Sequence, residues 1–238
     1  MVKIGYEITG YRKAEKRMIP IQWKQKEQEM MHVNEAKNGV VYLTWPALEK
    51  LSMIRHAFST RLGGVSSGYL SSMNLSYSRG DEPENVRENY RRFCEAAGLA
   101  MEQIVTSDQT HTTNVRYVTK RDCGSGVTRE RDFHEIDGMI TDEPGVVLAT
   151  FYADCVPLYF VDPVHRAIGL SHSGWRGTVH KMGQVTLNAM QERFGTEAKD
   201  VIAAIGPSIC QDCYEVSGDV IGEFRAAFPE KLHESLFY

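Results

Sequence analysis

Residues 151–160 read FYADCVPLYF, an aromatic and aliphatic run with the length and texture of a buried strand. Its middle carries Asp154 and Cys155, an acid and a thiol where such a strand ordinarily holds Val or Ile. Polar groups are costly to bury unless they bond to something, so the pair calls for a partner. Two other stretches also concentrate polar groups at strand ends: SDQTHTTNV (107–115) and GLSHSGWRGT (169–178). Each of the three offers one soft or borderline metal ligand: His111, Cys155 and His172.

An isolated histidine or cysteine in a strand is ordinarily packing. The trio carries more weight, because His172 closes the strand AIGLSH before a glycine-rich turn that opens a helix, and ligand sites gather at such ends. Two imidazoles and a thiolate suit Zn²⁺, and three protein ligands leave a fourth position for water or substrate. The same residues admit a metal-free reading, with Cys155 as nucleophile and His172 as its base for acyl transfer or deamidation. Spacing along the chain does not separate the two. In either, Asp154 would orient an imidazole or support the metal from behind; otherwise it bonds a turn before Pro157.

SGWRGT adds Trp175 and Arg176 at an expected helix start, where Arg176 would suit a phosphate and Trp175 a flat ring. Equally, Trp175 could be core and Arg176 surface. Arg61 lies beside the glycine-rich loop FSTRLGGVSSG (58–68), again a plausible anion contact. The GVSSG within it matches a hydrolase nucleophile pattern, but no helix follows at once and Ser66 has no obvious partner, so the match is read as coincidence. Cys210 and Cys213 form a lone C-x-x-C, without the second pair of a zinc ribbon.

The elements around these motifs predict an α+β domain. Strands are expected at GVVYLTW, RHAFST, QIVTSDQ, NVRYVT, GVVLATFY, PLYFVD, AIGLSH and VIAAIG. Helices are expected at WPALEKL, 84–97, 176–194 and 217–228, the third from the apolar stripe Met182, Val185, Ala189 and Met190. Residues 1–38 are dense in Lys and Glu, with Pro20 interrupting any helix, and are read as a loosely ordered extension before a domain over 39–238.

Hydrophobic residues at 42% suffice for a core, and a net charge of −4 gives no field to attract nucleic acid or anionic lipid. No apolar run approaches the roughly 18 residues of a membrane span. Five thinly spread cysteines form no disulfide framework and point to a reducing, cytoplasmic setting. Eight histidines without an H-x-H pair are poor material for a multicopper oxidase.

In order along the chain, HAFSTRLGGVSSGYLSSMNLS, DQTHTTNV, DGMIT, ADCVPLYFVDP, GLSHSGWRGT and IGPSIC with CYEV resemble the laccase-domain or polyphenol-oxidase-like family, whose members are described as purine nucleoside phosphorylases. The resemblance runs from about Gly39 to the end. It implies a single α+β domain with α/β/β/α layers, related to cytotoxic-necrotising-factor deamidases. It also implies a zinc on His111, Cys155 and His172, with copper as an adventitious substitute. The implied reactions are phosphorolysis of adenosine, inosine, guanosine and methylthioadenosine, and deamination of adenosine. The partners are then purine nucleosides and phosphate, with no nucleic acid or membrane. Laccase chemistry is rejected on the histidine pattern. Two departures are expected: residues 1–38 have no family counterpart, and the family continues for about a strand and a helix beyond EKLHESLFY.

Overall fold

The computed structural model describes residues 6–8, 21–23 and 30–236, so much of the charged segment 1–38 lies outside the described residues. The α+β class expected from the sequence is the one found. The described chain forms two compact units, residues 6–104 and 105–236.

In the first unit, β1 (Tyr6–Ile8) and β2 (Ile21–Trp23) pair as an antiparallel ribbon. A second antiparallel sheet runs β3 (His32–Glu35), β4 (Val41–Thr44), β5 (Phe58–Ser59), with α1 (Pro46–Glu49) in the β4–β5 connection. Helix α2 (Pro83–Ala97) begins on a proline, which lacks only an N–H that a first turn leaves unused. It ends at Gly98, whose φ of 66° suits the left-handed cap that accepts a glycine most readily. Its buried face is Val86, Asn89, Tyr90 and Cys94.

Asn89 is the polar member of that face, and every bond it makes reaches the loop before the helix. Its Oδ1 accepts from Val65 N at 2.8 Å, and its Nδ2 donates to Ser66 Oγ and Asn74 O, both at 2.8 Å. Ser66 in turn donates to Asp81 Oδ2 at 2.6 Å. The serine therefore has partners that its sequence context did not reveal, and they are a carboxylate and an amide rather than the imidazole of a hydrolase triad. Gly64 is required nearby by close approach: a Cβ there would stand 1.9 Å from Ser72 O.

The second unit is built on a mixed five-stranded sheet. Its elements are β6 (Ile104–Thr106), β7 (Val115–Tyr117), β8 (Gly138–Thr141), β9 (Val147–Ala149), β10 (Val156–Asp162), β11 (Ala167–Ser173), α3 (Trp175–Val179), α4 (Met182–Phe194), β12 (Ile202–Ile205), α5 (Gly218–Ala227) and α6 (His233–Leu236). The sheet order is β12-β10-β11-β8-β7, with β6 and β9 pairing separately. β8 is fully buried and alternates its side chains between two cores. Ile140 joins Phe160, Ala167 and Met190 under α4, while Met139 joins Val105, Val118, Phe133 and Val146 beneath the β6–β9 ribbon. Helix, sheet and ribbon thus give an α/β/β order of layers in this unit. Helix α4 sits close because Gly169 faces it; a Cβ there would meet Met190 Sδ at 3.0 Å.

The sequence predicts one helix over 176–194, and the structure breaks it. Lys181 takes a left-handed φ of 58° between α3 and α4. The apolar stripe starts only at Met182, so the chain turns there to lay Met182, Thr186 and Met190 on the sheet. Strand β10 is also shorter than the apolar run suggests: residues 153–155 are a bend, and the strand begins at Val156. Among the described residues no helix is long and apolar enough to cross a membrane.

Replacing Asn89 by Ala should strand Val65 N, Ser66 Oγ and Asn74 O without their partner. We expect a loss of about 2–3 kcal/mol, read as a melting temperature lower by roughly 4–12 °C. An unchanged melt would show that the network carries no stability.

Candidate metal centre

Register brings the ends of four strands to one edge of the sheet. In the β10–β11 pair, Pro157 lies opposite His172 and Val156 opposite Ser173. Ser171 lies opposite Gly138 across β11–β8, and Val115 opposite Gly138 across the parallel β7–β8 pair. The residues just before β10, β8 and β7 and those closing β11 therefore converge. They are Cys155, Asp137, the 107–114 loop with His111, and His172. None of this pairing can be read from their separation in the chain.

One ligand atom each from His111, Cys155 and His172 lies within 4.8 Å of the others. Cys155 Sγ stands 3.9 Å from His111 Nε2, and the two imidazoles meet edge to face with centroids 5.0 Å apart. His172 is buried, Cys155 half-buried and His111 exposed, so the group is closed on one side and open on the other. Among the described residues it is the one cluster of three or more such side chains able to hold a metal ion.

A fully buried carboxylate assembles this group. Asp137 Oδ1 accepts from His172 Nδ1 at 2.7 Å and from His111 N at 3.1 Å. Its Oδ2 accepts from Thr110 N at 3.1 Å, Thr112 N at 2.8 Å and Thr112 Oγ1 at 3.0 Å. Its own carbonyl accepts from His172 N at 2.7 Å. Holding the proton on Nδ1 of His172 leaves Nε2 as the lone pair that faces the cluster, the usual role of a carboxylate behind a ligating histidine. The same oxygens fix the turn at His111, which adopts a left-handed φ of 65° unusual for a residue with a side chain.

Gln109 joins the His111 loop to the Cys155 bend. Its amide donates to Phe151 O at 2.6 Å and accepts from Phe151 N at 2.7 Å. Gly174 keeps room beside the ligands, since a Cβ there would lie 2.9 Å from His111 Cδ2 and 3.0 Å from Cys155 Sγ. Beneath them the Tyr152 ring sits 5.7 Å from the His172 ring, its hydroxyl donating to Ser171 O at 3.1 Å.

The electrostatics follow from this geometry. Burial disfavours the charged form of His172, but the hydrogen bonds to Asp137 and Cys155 and the charges of both outweigh it, lifting the pKa to about 9. Burial likewise works against the Asp137 carboxylate, and the bonds from His172, Thr112 and Thr110 still hold it below the ordinary range. Two imidazole nitrogens and a thiolate, with one nitrogen already oriented, fit a tetrahedral borderline cation with one exchangeable position.

The other residues singled out in the sequence are placed differently. Asp154 is exposed, and its carbonyl accepts from Ile209 N; the carboxylate that orients an imidazole is Asp137. Arg61 belongs to the 6–104 unit, where its guanidinium donates to Ser71 O at 3.0 and 2.8 Å and to Tyr69 O at 2.6 Å, holding its own loop. Trp175 and Arg176 open α3, with the exposed Arg176 guanidinium 4.2 Å over the indole ring. Asp137 carried a signal, as the acid directly before the buried strand GMIT, but a four-residue strand opening on glycine shows no periodicity.

The chain belongs to the multi-copper polyphenol oxidoreductase laccase family, whose sequence model matches residues 55–236. It is 40% identical over 186 residues to a purine nucleoside phosphorylase of Bacteroides thetaiotaomicron, a match covering 77% of this chain and 68% of that protein. It is 33% identical over 187 residues to adenosine deaminase RL5 from an unknown prokaryotic organism, covering 76% and 71%. The crystal structure of YlmD from Geobacillus stearothermophilus matches with a TM-score of 0.73 at 33% identity, over 84% of this chain and 73% of that one. The chain spans about two thirds of the length of the prokaryotic relatives it matches, 61% in the case of Bacillus subtilis YlmD, and 39% of the mouse relative. The family resemblance drawn from the motifs is thereby shown.

A cation must displace the proton from His172, so uptake should release protons and tighten as pH rises toward 9. In the metal-free protein the imidazolium–Asp137 pair should stabilise fully below about pH 6.5, the free-histidine value. That contribution is lost as pH climbs through about 9. Replacing Asp137 by Asn should bring the His172 pKa down and weaken zinc binding about 10–100-fold, measured by NMR titration and competition with a chromogenic chelator. Wild-type affinity in that variant would remove Asp137 from the site.

Proposed function

We propose that this chain is a zinc-dependent purine nucleoside phosphorylase that also deaminates adenosine. The observation that carries the reading is the convergence of His111, Cys155 and His172 behind one carboxylate, in a chain whose relatives bear those two enzyme names. The donor set favours zinc, since thiolate with imidazole is a common zinc combination. A multicopper oxidase requires several copper centres, whereas the described residues offer a single three-ligand group. Copper is then a substitute ion at that group.

A zinc ion held there would supply a Lewis acid with an exchangeable position. The chain's own residues do the rest. Asp137 keeps Nδ1 of His172 protonated and both histidines aimed. Buried His172, with the half-buried Tyr152 ring against it, excludes water on one side, and exposed His111 leaves the other open to a nucleoside. In phosphorolysis a phosphate oxygen bonds to ribose C1′ as the bond from C1′ to the purine nitrogen breaks, giving ribose-1-phosphate and free base. In deamination water replaces the amine at C6 of adenosine and ammonia leaves. Arg176, exposed two residues after Gly174, is the proposed phosphate contact. The bonds of Arg61 to Tyr69 and Ser71 favour loop support over that role.

A second reading draws on the line Asp137–His172–Cys155, which is also the order of a thiol nucleophile, its base and the group orienting that base. The presence of His111 as a third donor favours the metal. The purified chain, incubated with adenosine and phosphate, should yield adenine, ribose-1-phosphate and inosine. Chelation should abolish this and added zinc restore it. Turnover that survives chelation yet falls to iodoacetamide would establish the thiol mechanism instead.

A further inference from the structure

The segment after β12 is brought to the same edge of the sheet as the ligands. Gly206 N donates to Pro157 O and Ile209 N to Asp154 O, both at 2.9 Å. These bonds lay residues 206–209 along the start of β10 and the bend that carries Cys155. Glycine permits the crossing, since a Cβ at Gly206 would meet the Pro157 ring at 2.6 Å. The C-x-x-C then proves to be a single 3-10 turn, with Cys213 N donating to Cys210 O at 3.0 Å, and Tyr214 follows it. Beyond, the chain enters α5, which packs on α3, the helix that begins directly after Gly174. Both ends of the loop are thus moored to elements that border the His–Cys–His group.

Tyr214 is 43% exposed. Its phenol is raised above the ordinary value by burial first, then by the charges of Cys155 and Asp154, so it lies within electrostatic reach of the ligand thiol. Two other rings near the group, those of Tyr152 and Trp175, are already engaged. Tyr152 lies against the His172 ring with its hydroxyl bonded below, and Trp175 carries the Arg176 guanidinium on its face. Flat heteroaromatic bases bind on open aromatic faces.

We infer that Tyr214 is the platform on which the purine of the nucleoside stacks, with the 206–214 loop forming the base side of the site. This rests on the nucleoside reading above. It moves the base contact from Trp175 to a residue about forty positions further along the chain.

The test uses the full chain with its metal, comparing Tyr214→Ala, Tyr214→Phe and Trp175→Ala for adenosine binding by calorimetry, adenosine and phosphate KM, and metal content. Tyr214→Ala should weaken adenosine binding about tenfold, raising its KM while leaving the phosphate KM and metal content unchanged. Tyr214→Phe should stay within about twofold of the parent, because the ring face does the binding. Wild-type adenosine affinity in Tyr214→Ala, or a loss confined to Trp175→Ala, overturns the inference and leaves the nucleoside reading standing. An equal loss in Tyr214→Phe also overturns it, by assigning the contact to the hydroxyl. If the parent chain binds no purine nucleoside, both fall together.

Discussion

One buried carboxylate holds this centre together. Asp137 sits where β8 begins, and its two oxygens accept five hydrogen bonds from two other parts of the chain: the Nδ1 proton of His172 and four donors in the 110–112 turn. An isolated buried charge would be strongly disfavoured. Here it is matched by five donors, so burial makes each bond stronger rather than weaker. The cost of placing the charge and the order of the ligands are two aspects of the same arrangement.

That arrangement depends on the sheet. β10, β8 and β7 all begin at the edge where β11 ends, and the register sets Cys155, Asp137 and the His111 loop around His172. Gln109 ties two of those loops through Phe151, and Gly174 keeps side-chain bulk out of the space between His111 and Cys155. The rigid part of the fold thus supplies His172 and Asp137. The more exposed His111 and Cys155 come from loops that are clamped by side-chain amide and carboxylate bonds. Function sits on loops positioned by a scaffold, as it commonly does.

Much of this was legible in the residues themselves. The three ligands stood out because each lies in a stretch that concentrates polar groups at the end of an apolar strand, and the long amphipathic α2 followed from Pro83 and the spacing of Val86 and Tyr90. What escaped was whatever depends on pairing. β8 is buried on both faces and only four residues long, so it has no alternation to detect, and with it went the role of Asp137. Asp154 was read as the orienting acid because it adjoins Cys155 in sequence, but it stands exposed in the 153–155 bend, while Asp137 reaches His172 from the start of the neighbouring strand. The break at Lys181 was hidden because the apolar stripe of α4 could be extended backward through Arg176 without contradiction. Ser66 seemed partnerless for the same reason: Asn89 and Asp81 reach it only across the fold.

The central claim is that His111, Cys155 and His172 share one cation. X-ray absorption at the zinc edge on the purified chain tests it most directly. The account predicts one sulfur at about 2.3 Å and two imidazole nitrogens at about 2.0–2.1 Å, with a light fourth ligand. A four-sulfur shell, or the same spectrum after Cys155 is replaced by Ser, would contradict it.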